Sequence, residues 1–198
     1  MRNNYNSYIY GSWIKWGSIA LVVLILVIGS VTTYNGLITA DQDVQMQWSE
    51  VENQMQRRAD VITNQVEVVK GYVKHEEKVF SDIANARSVL YDNYSDMNTK
   101  IAADQQMADS GRKILALAEN YPELKADKLF ANLQTDIEGS ENRVARARGE
   151  FIGKVQIYNT KLTRFPGNLF AKILGFEKID YFKASPDAQQ TPKVDFGS

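Results

Sequence analysis

The sequence predicts an all-α protein in which an N-terminal transmembrane helix is followed by a long antiparallel helical bundle. Three observations predict this fold: an uncharged run from Trp16 to Ala40, apolar residues spaced three and four apart along most of the chain, and prolines confined to positions 122, 166, 186 and 192. We expect three long helices and a short fourth. No segment alternates between apolar and polar residues over a useful length, so we expect no β-sheet.

The uncharged run is long enough to cross a membrane. About 20 apolar residues span the ~30 Å hydrocarbon core as a helix, and Trp13, Trp16 and Tyr34 lie near its ends, where aromatic rings favour the membrane interface. The alternative is a signal peptide cleaved after Ala40. A signal h-region is usually about 7–15 residues, so the length favours an uncleaved anchor over residues 16–40.

Basic residues predict the orientation of this anchor. Arg2 and Lys15 precede it, whereas the first basic residue after it is Arg57. The positive-inside rule therefore places residues 1–15 in the cytoplasm and the rest of the chain, from residue 41, outside it.

The bundle is predicted over residues 41–183 from apolar seams, meaning rows of apolar residues at helical spacing. The first seam runs from Val44 to Val73, the second from Phe80 to Ala118 and the third from Phe130 to Phe165. Within them we expect the core to contain Trp48, Phe130, Leu133, Phe151 and Leu162. The helix of the second seam has a potential break within 103–111, since Gly111 is unfavourable in a helix.

Two further segments complete the predicted organisation. Phe165-Pro166-Gly167-Asn168 ends the third seam, and a short helix is expected from Leu169 to Leu174. The tail over residues 184–198 has no periodicity and is predicted to be disordered.

Composition argues against several classes of function. The chain has 23 basic and 24 acidic residues, without the basic stripe of a nucleic-acid-binding protein. It has no cysteine and one histidine, whereas a di-iron bundle needs a Glu-x-x-His motif on each of two helices. No phosphate-binding loop or hydrolase motif occurs. We therefore expect no enzyme activity, cofactor, metal site or small-molecule substrate.

The charged residues around the end of the first seam form one candidate interaction surface. Its members are Arg57, Arg58, Lys70, His75 and Glu76. The alternative is that these charges are the solvated face of an amphipathic helix. Arg87 and Asp104 occupy positions on the second seam, where they either pair between helices or, as we favour, lie where the seam has turned outward.

Several motifs in order resemble the LemA family. They are Arg57-Arg58-Ala59-Asp60-Val61-Ile62, Val69-Lys70-Gly71-Tyr72 with His75-Glu76, Tyr121-Pro122-Glu123-Leu124-Lys125-Ala126, Ser140-Glu141-Asn142-Arg143, Ala147-Arg148, Tyr158-Asn159, Phe165-Pro166 and Gly175-Phe176. The resemblance covers residues 34–182; it departs at Thr63, where the family often has proline, and at Phe151-Ile152, where it often has Tyr-Asn. It implies a bacterial single-pass membrane protein with a helical bundle, related to proteins implicated in forming membrane compartments in magnetic bacteria. It implies no enzyme activity, cofactor or ligand.

Two functions fit these expectations. The first is a scaffold at the bacterial inner membrane that contacts the lipid bilayer and binds copies of itself, as a homo-oligomer, or unidentified membrane or envelope proteins. The alternative is a sensor that transmits a signal through the transmembrane helix. The short N-terminal stub leaves no room for an output domain, which favours the scaffold.

Overall fold

The computed structural model describes residues 5–71, 76–117, 121 and 128–182, and these residues form five helices and no strand. Helices α1 to α5 span, in order, Tyr5–Lys70, Glu77–Tyr91, Met97–Leu117, Lys128–Thr163 and Gly167–Leu174. The predicted all-α fold is confirmed. The predicted end of the first seam at Val73, the candidate residue His75 and the tail over 184–198 lie outside the described residues.

The chain divides into two compact units. Unit 1 comprises Met1–Val44 and Lys154–Tyr181, and unit 2 comprises Gln45–Gly153 and Phe182–Ser198. Helices α1 and α4 each contribute to both units, while α2 and α3 belong to unit 2 and α5 belongs to unit 1.

Four helices pack side by side in unit 2, each antiparallel to the one before it. Asp60 of α1 contacts both Arg87 and Tyr91 of α2, and Gln106 of α3 donates a hydrogen bond to the carbonyl of Asp82 in α2. Helix α4 returns along α1, since the rings of Trp48 and Phe151 pack edge to face with their centres 5.6 Å apart. The unit is therefore an up-down-up-down arrangement.

The second predicted helix is two helices, because the chain reverses between Asp92 and Asp96. The Asp92 carboxylate accepts the Tyr94 backbone N–H at 3.0 Å, and the Asp96 carboxylate accepts the Thr99 backbone N–H at 3.0 Å. Such bonds stabilise a turn and cap the first turn of α3. The potential break within 103–111 does not occur, since α3 continues through these residues with Gly111 buried in its interior.

The first and third seams form the core of the helices that carry them. On α1 and α4 the buried side chains include Val44, Val51, Met55, Ala59, Ile62, Val66, Val69, Phe130, Ile137, Val144, Phe151 and Leu162. The predicted burial of Phe130, Phe151 and Leu162 is confirmed. Trp48 is only half-buried, and the side chain of Leu133 is not among those that the structure describes. Phe165 is 80% exposed, because α4 ends before it at Thr163.

Unit 1 is held by contacts between the first part of α1 and the end of α4. Lys154 Nζ is 2.9 Å from the Asp43 carboxylate, and Lys161 Nζ donates to the Gly36 carbonyl at 2.9 Å. Leu37 and Ala40 are buried here. Residues 19–28 of α1, by contrast, expose their apolar side chains.

Candidate functional site

A groove in unit 2, which we call the polar groove, is lined by charged residues from three helices. It has a volume of about 570 Å³ and is lined by α1, α3, α4 and Phe182. Its charged residues are Arg58, Asp104, Arg112, Glu141 and Arg148. The groove thus presents both signs of charge in one recess.

Asp104 lies at the centre of this charge cluster, and its side chain is 1% exposed. Arg58 Nε is 3.4 Å from one of its carboxylate oxygens, and Arg148 Nη2 donates to the other at 2.7 Å. Burial raises the pKa of Asp104, although the guanidinium groups of Arg58 and Arg148 act in the opposite direction. Burial also lowers the pKa of Arg58, although the carboxylate of Asp104 acts in the opposite direction. The attraction therefore only partly offsets the cost of burying these charges.

Several buried atoms of the cluster have no hydrogen-bond partner within the described part of the chain. They are Arg58 Nε, Asp104 Oδ1 and Arg148 Nε. Buried polar atoms are normally satisfied by protein or water. All three residues line the polar groove, and Arg58 Nε and Asp104 Oδ1 face each other at 3.4 Å.

The outer part of the polar groove adds a further ion pair and an aromatic wall. Arg112 donates to Glu141 at 2.9 Å and also to Asp109. Arg148 lies 5.2 Å from the centre of the Phe182 ring, which in turn packs against Phe151 at 5.3 Å. A charged cluster beside an aromatic surface is suited to binding a peptide segment of a protein.

A second recess, the apolar groove, lies between α1 and α2 in unit 2. Its volume is about 450 Å³, and Val66, Phe80 and Ile83 supply much of its apolar lining. Lys70 and Arg87 also line it, and Arg87 pairs with Asp60 at 3.2 Å. It is therefore an apolar recess with charges at its edge.

The described residues of the predicted interaction surface lie in different surroundings. Arg57 is exposed, but Arg58 is buried and belongs to the polar groove. Lys70 pairs with Glu67 at 2.7 Å and lines the apolar groove, whereas the Glu76 carbonyl accepts backbone bonds from the start of α2. His75 lies outside the described residues.

The favoured prediction for Asp104 is wrong, while Arg87 is exposed as predicted. Asp104 faces inward with its seam neighbours Ala108 and Gly111, and its partners come from α1 and α4. The sequence contained one indication of this buried cluster, namely an acidic residue at a seam position together with Arg58 and Arg148 on two other amphipathic helices. Helical spacing alone does not show that these three residues lie at one level.

The described residues contain no group of three or more His, Cys, Asp or Glu side chains placed to hold a metal ion. Gln54 donates to Glu50, and Glu52 pairs with Lys100 at 2.6 Å. The carboxylates of Glu50 and Glu52 are thus engaged by neighbouring side chains.

Comparison with known proteins places this architecture in a family. The model of the LemA family matches residues 47–196. Magnetosome protein MamQ of Magnetospirillum gryphiswaldense is 26% identical over 81% of this chain and 68% of its own length. Magnetosome protein MamQ 2 of Paramagnetospirillum magneticum is 23% identical over the same shares, and protein LemA of Metamycoplasma hominis is 27% identical over 76% of this chain and 69% of its own length. None of these names is that of an enzyme.

Proposed function

Because the chain belongs to the LemA family, we propose that it is a non-catalytic, membrane-anchored scaffold of the bacterial inner membrane. In this proposal the helical unit binds partner proteins or copies of itself and so takes part in membrane organisation. The magnetosome names of the MamQ relatives are in keeping with such a role.

The observation that carries the proposal is the exposed apolar part of α1. Among the described residues one helix is long and apolar enough to cross a membrane, and none of its most apolar stretch is buried within the protein. Exposed apolar surface of this extent is covered in a bilayer. The same helix continues to Lys70 and contributes Arg58 to the polar groove.

The polar groove supports protein binding as the activity of unit 2. It combines three arginines, two acidic residues and one aromatic side chain. Arginine and aromatic residues are enriched at binding hot spots, and charged groups of both signs orient a partner. The more exposed charges of Arg112, Glu141 and Arg148 favour a partner that brings hydrogen-bonding groups into the recess.

Site-specific photocrosslinking in intact membranes tests this assignment. A photoreactive amino acid at Gln105, which lines the polar groove, should form a discrete crosslinked product. Gln106 is the matched control, because it is also exposed but bonds to the Asp82 carbonyl of α2 and lies outside the groove lining. Absence of product at Gln105, or equal products at both positions, would contradict the proposal. Two differently tagged copies of the chain then separate self-association from binding to another protein.

Residues 1–15 are proposed to be cytoplasmic and the chain from residue 41 onward extracytoplasmic, on the basis of Arg2 and Lys15. Protease added to intact spheroplasts should therefore digest the chain from residue 41 onward. Digestion only after the inner membrane is opened would show the reverse orientation. A cytoplasmic marker protein that stays intact controls for leakage.

A further inference from the structure

We propose that the turn after α4, together with α5, is a second membrane-contacting element that lies on the bilayer surface beside the exit of α1 and binds anionic phospholipid headgroups. This proposal rests on the proposed function in that it takes α1 as the membrane-spanning helix. All the residues that carry it belong to unit 1.

Helix α5 exposes apolar residues along one face. Ala171 and Gly167 are buried, whereas Leu169 and Ile173 are exposed, the latter to 78%. Leu169 and Ile173 are four residues apart and so share a face of the helix. Phe165, which precedes the helix and is 80% exposed, adds an aromatic ring at the same turn. An exposed apolar stripe of this kind is typical of helices that lie in a membrane interface.

Two glycines shape this element. A Cβ atom at Gly167 would stand 2.1 Å from the Lys161 carbonyl oxygen, so only glycine permits this close turn onto α4. Gly175 ends α5 with a φ of 73°, which is unfavourable for residues with a side chain. The turn and the helix are therefore held in position, with their apolar residues turned outward.

The element lies at the level where the apolar part of α1 ends. A cavity of about 270 Å³ is lined by Thr32, Thr33 and Gly36 of α1 and by Arg164, Phe165 and other residues of the turn. The exposed apolar side chains of residues 19–31 end at Val31, directly before Thr32, and the exposed ring of Tyr34 lies at the level of the cavity. If α1 spans the bilayer, Phe165 meets the membrane at its interface, where aromatic rings are favoured.

The charges of the element match an anionic lipid surface. Between Thr160 and Phe176 the chain carries Lys161, Arg164 and Lys172 and no acidic residue, and all three basic side chains are exposed. Lys161 also bonds to the Gly36 carbonyl, which places its ammonium group beside α1. Basic residues next to an apolar stripe attract phosphate groups of anionic lipids. A soluble protein partner would not require the stripe to coincide with the end of α1.

The absence of cysteine from the sequence allows a direct test in the full chain. Single variants Phe165→Cys and Ile173→Cys are labelled with an environment-sensitive fluorophore and reconstituted into vesicles that contain a nitroxide-labelled lipid quencher. We expect several-fold stronger quenching at both positions than at Gln156→Cys, an exposed position on α4 more than two helical turns before Phe165. Quenching at positions 165 and 173 no stronger than at 156 would overturn the proposal.

Leu24→Cys, within the exposed apolar part of α1, separates failure of this inference from failure of the proposed function. Quenching at position 24 without quenching at 165 and 173 would overturn the surface contact and leave the anchor intact. Loss of quenching at position 24 as well would overturn both.

Vesicle composition tests the headgroup assignment. Quenching at Ile173→Cys should be greater with phosphatidylglycerol present than with phosphatidylcholine alone, and Arg164→Glu with Lys172→Glu should remove this difference. Lys78→Glu with Lys113→Glu makes the same charge change at exposed residues of unit 2 and should leave it intact. If the Ile173→Cys variant that keeps Arg164 and Lys172 is quenched equally in both lipids, the assignment of anionic headgroups is overturned.

Discussion

At the scale of single residues, Asp104 decides how the helices of unit 2 meet. Its two carboxylate oxygens face guanidinium groups from α1 and α4, while Asp104 itself lies on α3. A buried ion cluster often adds little to stability, although removing one member leaves another charge without its partner. The cluster therefore joins three helices at one level, whatever its net contribution to stability.

This leads to a prediction about paired substitutions. Asp104→Leu should lower the free energy of unfolding by about 3–5 kcal/mol, because Arg58 remains buried without its carboxylate. Adding Arg58→Met should restore most of that loss. Urea unfolding of the detergent-solubilised chain, followed by circular dichroism, measures both. A double variant as unstable as the single one would contradict this account, and Asp109→Ala, in an exposed ion pair, is the control that should cost below about 1 kcal/mol.

At the scale of secondary structure, the sequence was most informative where a helix keeps one apolar face over its length. The seams of α1 and α4 predict the buried residues Val51, Met55, Ile62 and Phe151, because spacings of three and four return to the same side of a helix. The prediction of a single helix from the second seam is wrong, because the apolar spacing continues across Asp92–Asp96, where the chain reverses. Asp92, Ser95 and Asp96 are residues that favour turns and caps, and this local chemistry prevailed over apparent periodicity.

The cap of α3 gives a pH-dependent prediction. The bond from the Thr99 backbone N–H lowers the pKa of Asp96, so the cap stabilises the fold above the unfolded pKa of about 3.9 and is lost as the pH falls through the lower folded value. Asp96→Ala should lower the melting temperature at neutral pH. Asp96→Asn, which also caps a helix, should stay close to the parent at neutral pH and lose less stability on acidification. Identical acid sensitivity of the parent and Asp96→Asn would contradict the role of this carboxylate.

At the scale of the whole molecule, the sequence predicts an apolar segment long enough to cross a bilayer. It does not predict the residue at which this segment begins to pack against the rest of the protein. Leu37 and Ala40, placed by sequence within the anchor, are buried against other parts of unit 1. Hydropathy does not distinguish apolar residues covered by lipid from those covered by protein. The polar groove was equally hidden, because it requires Arg58, Asp104 and Arg148 to meet across three helices.

Self-assembly is a prediction at this scale. Confinement in a bilayer raises the effective concentration of the helical units, so weak lateral contacts can act there. The full chain should form homo-oligomers in mild detergent, while a chain beginning at Thr32, which keeps Leu37 and Ala40, should be mainly monomeric. Sedimentation velocity compares the two. A full chain that stays monomeric at every accessible concentration would contradict self-assembly. The proposed scaffold would then act only by binding other proteins.

Membrane anchoring by α1 is tested most directly by alkaline extraction of membranes combined with the intact mass of the protein. The account predicts that the full chain remains in the membrane pellet with residues 1–40 still attached, and that a chain beginning at Thr32 is released into the supernatant. Release of the full chain by alkali, or a mature mass that lacks the N-terminal segment, would contradict it.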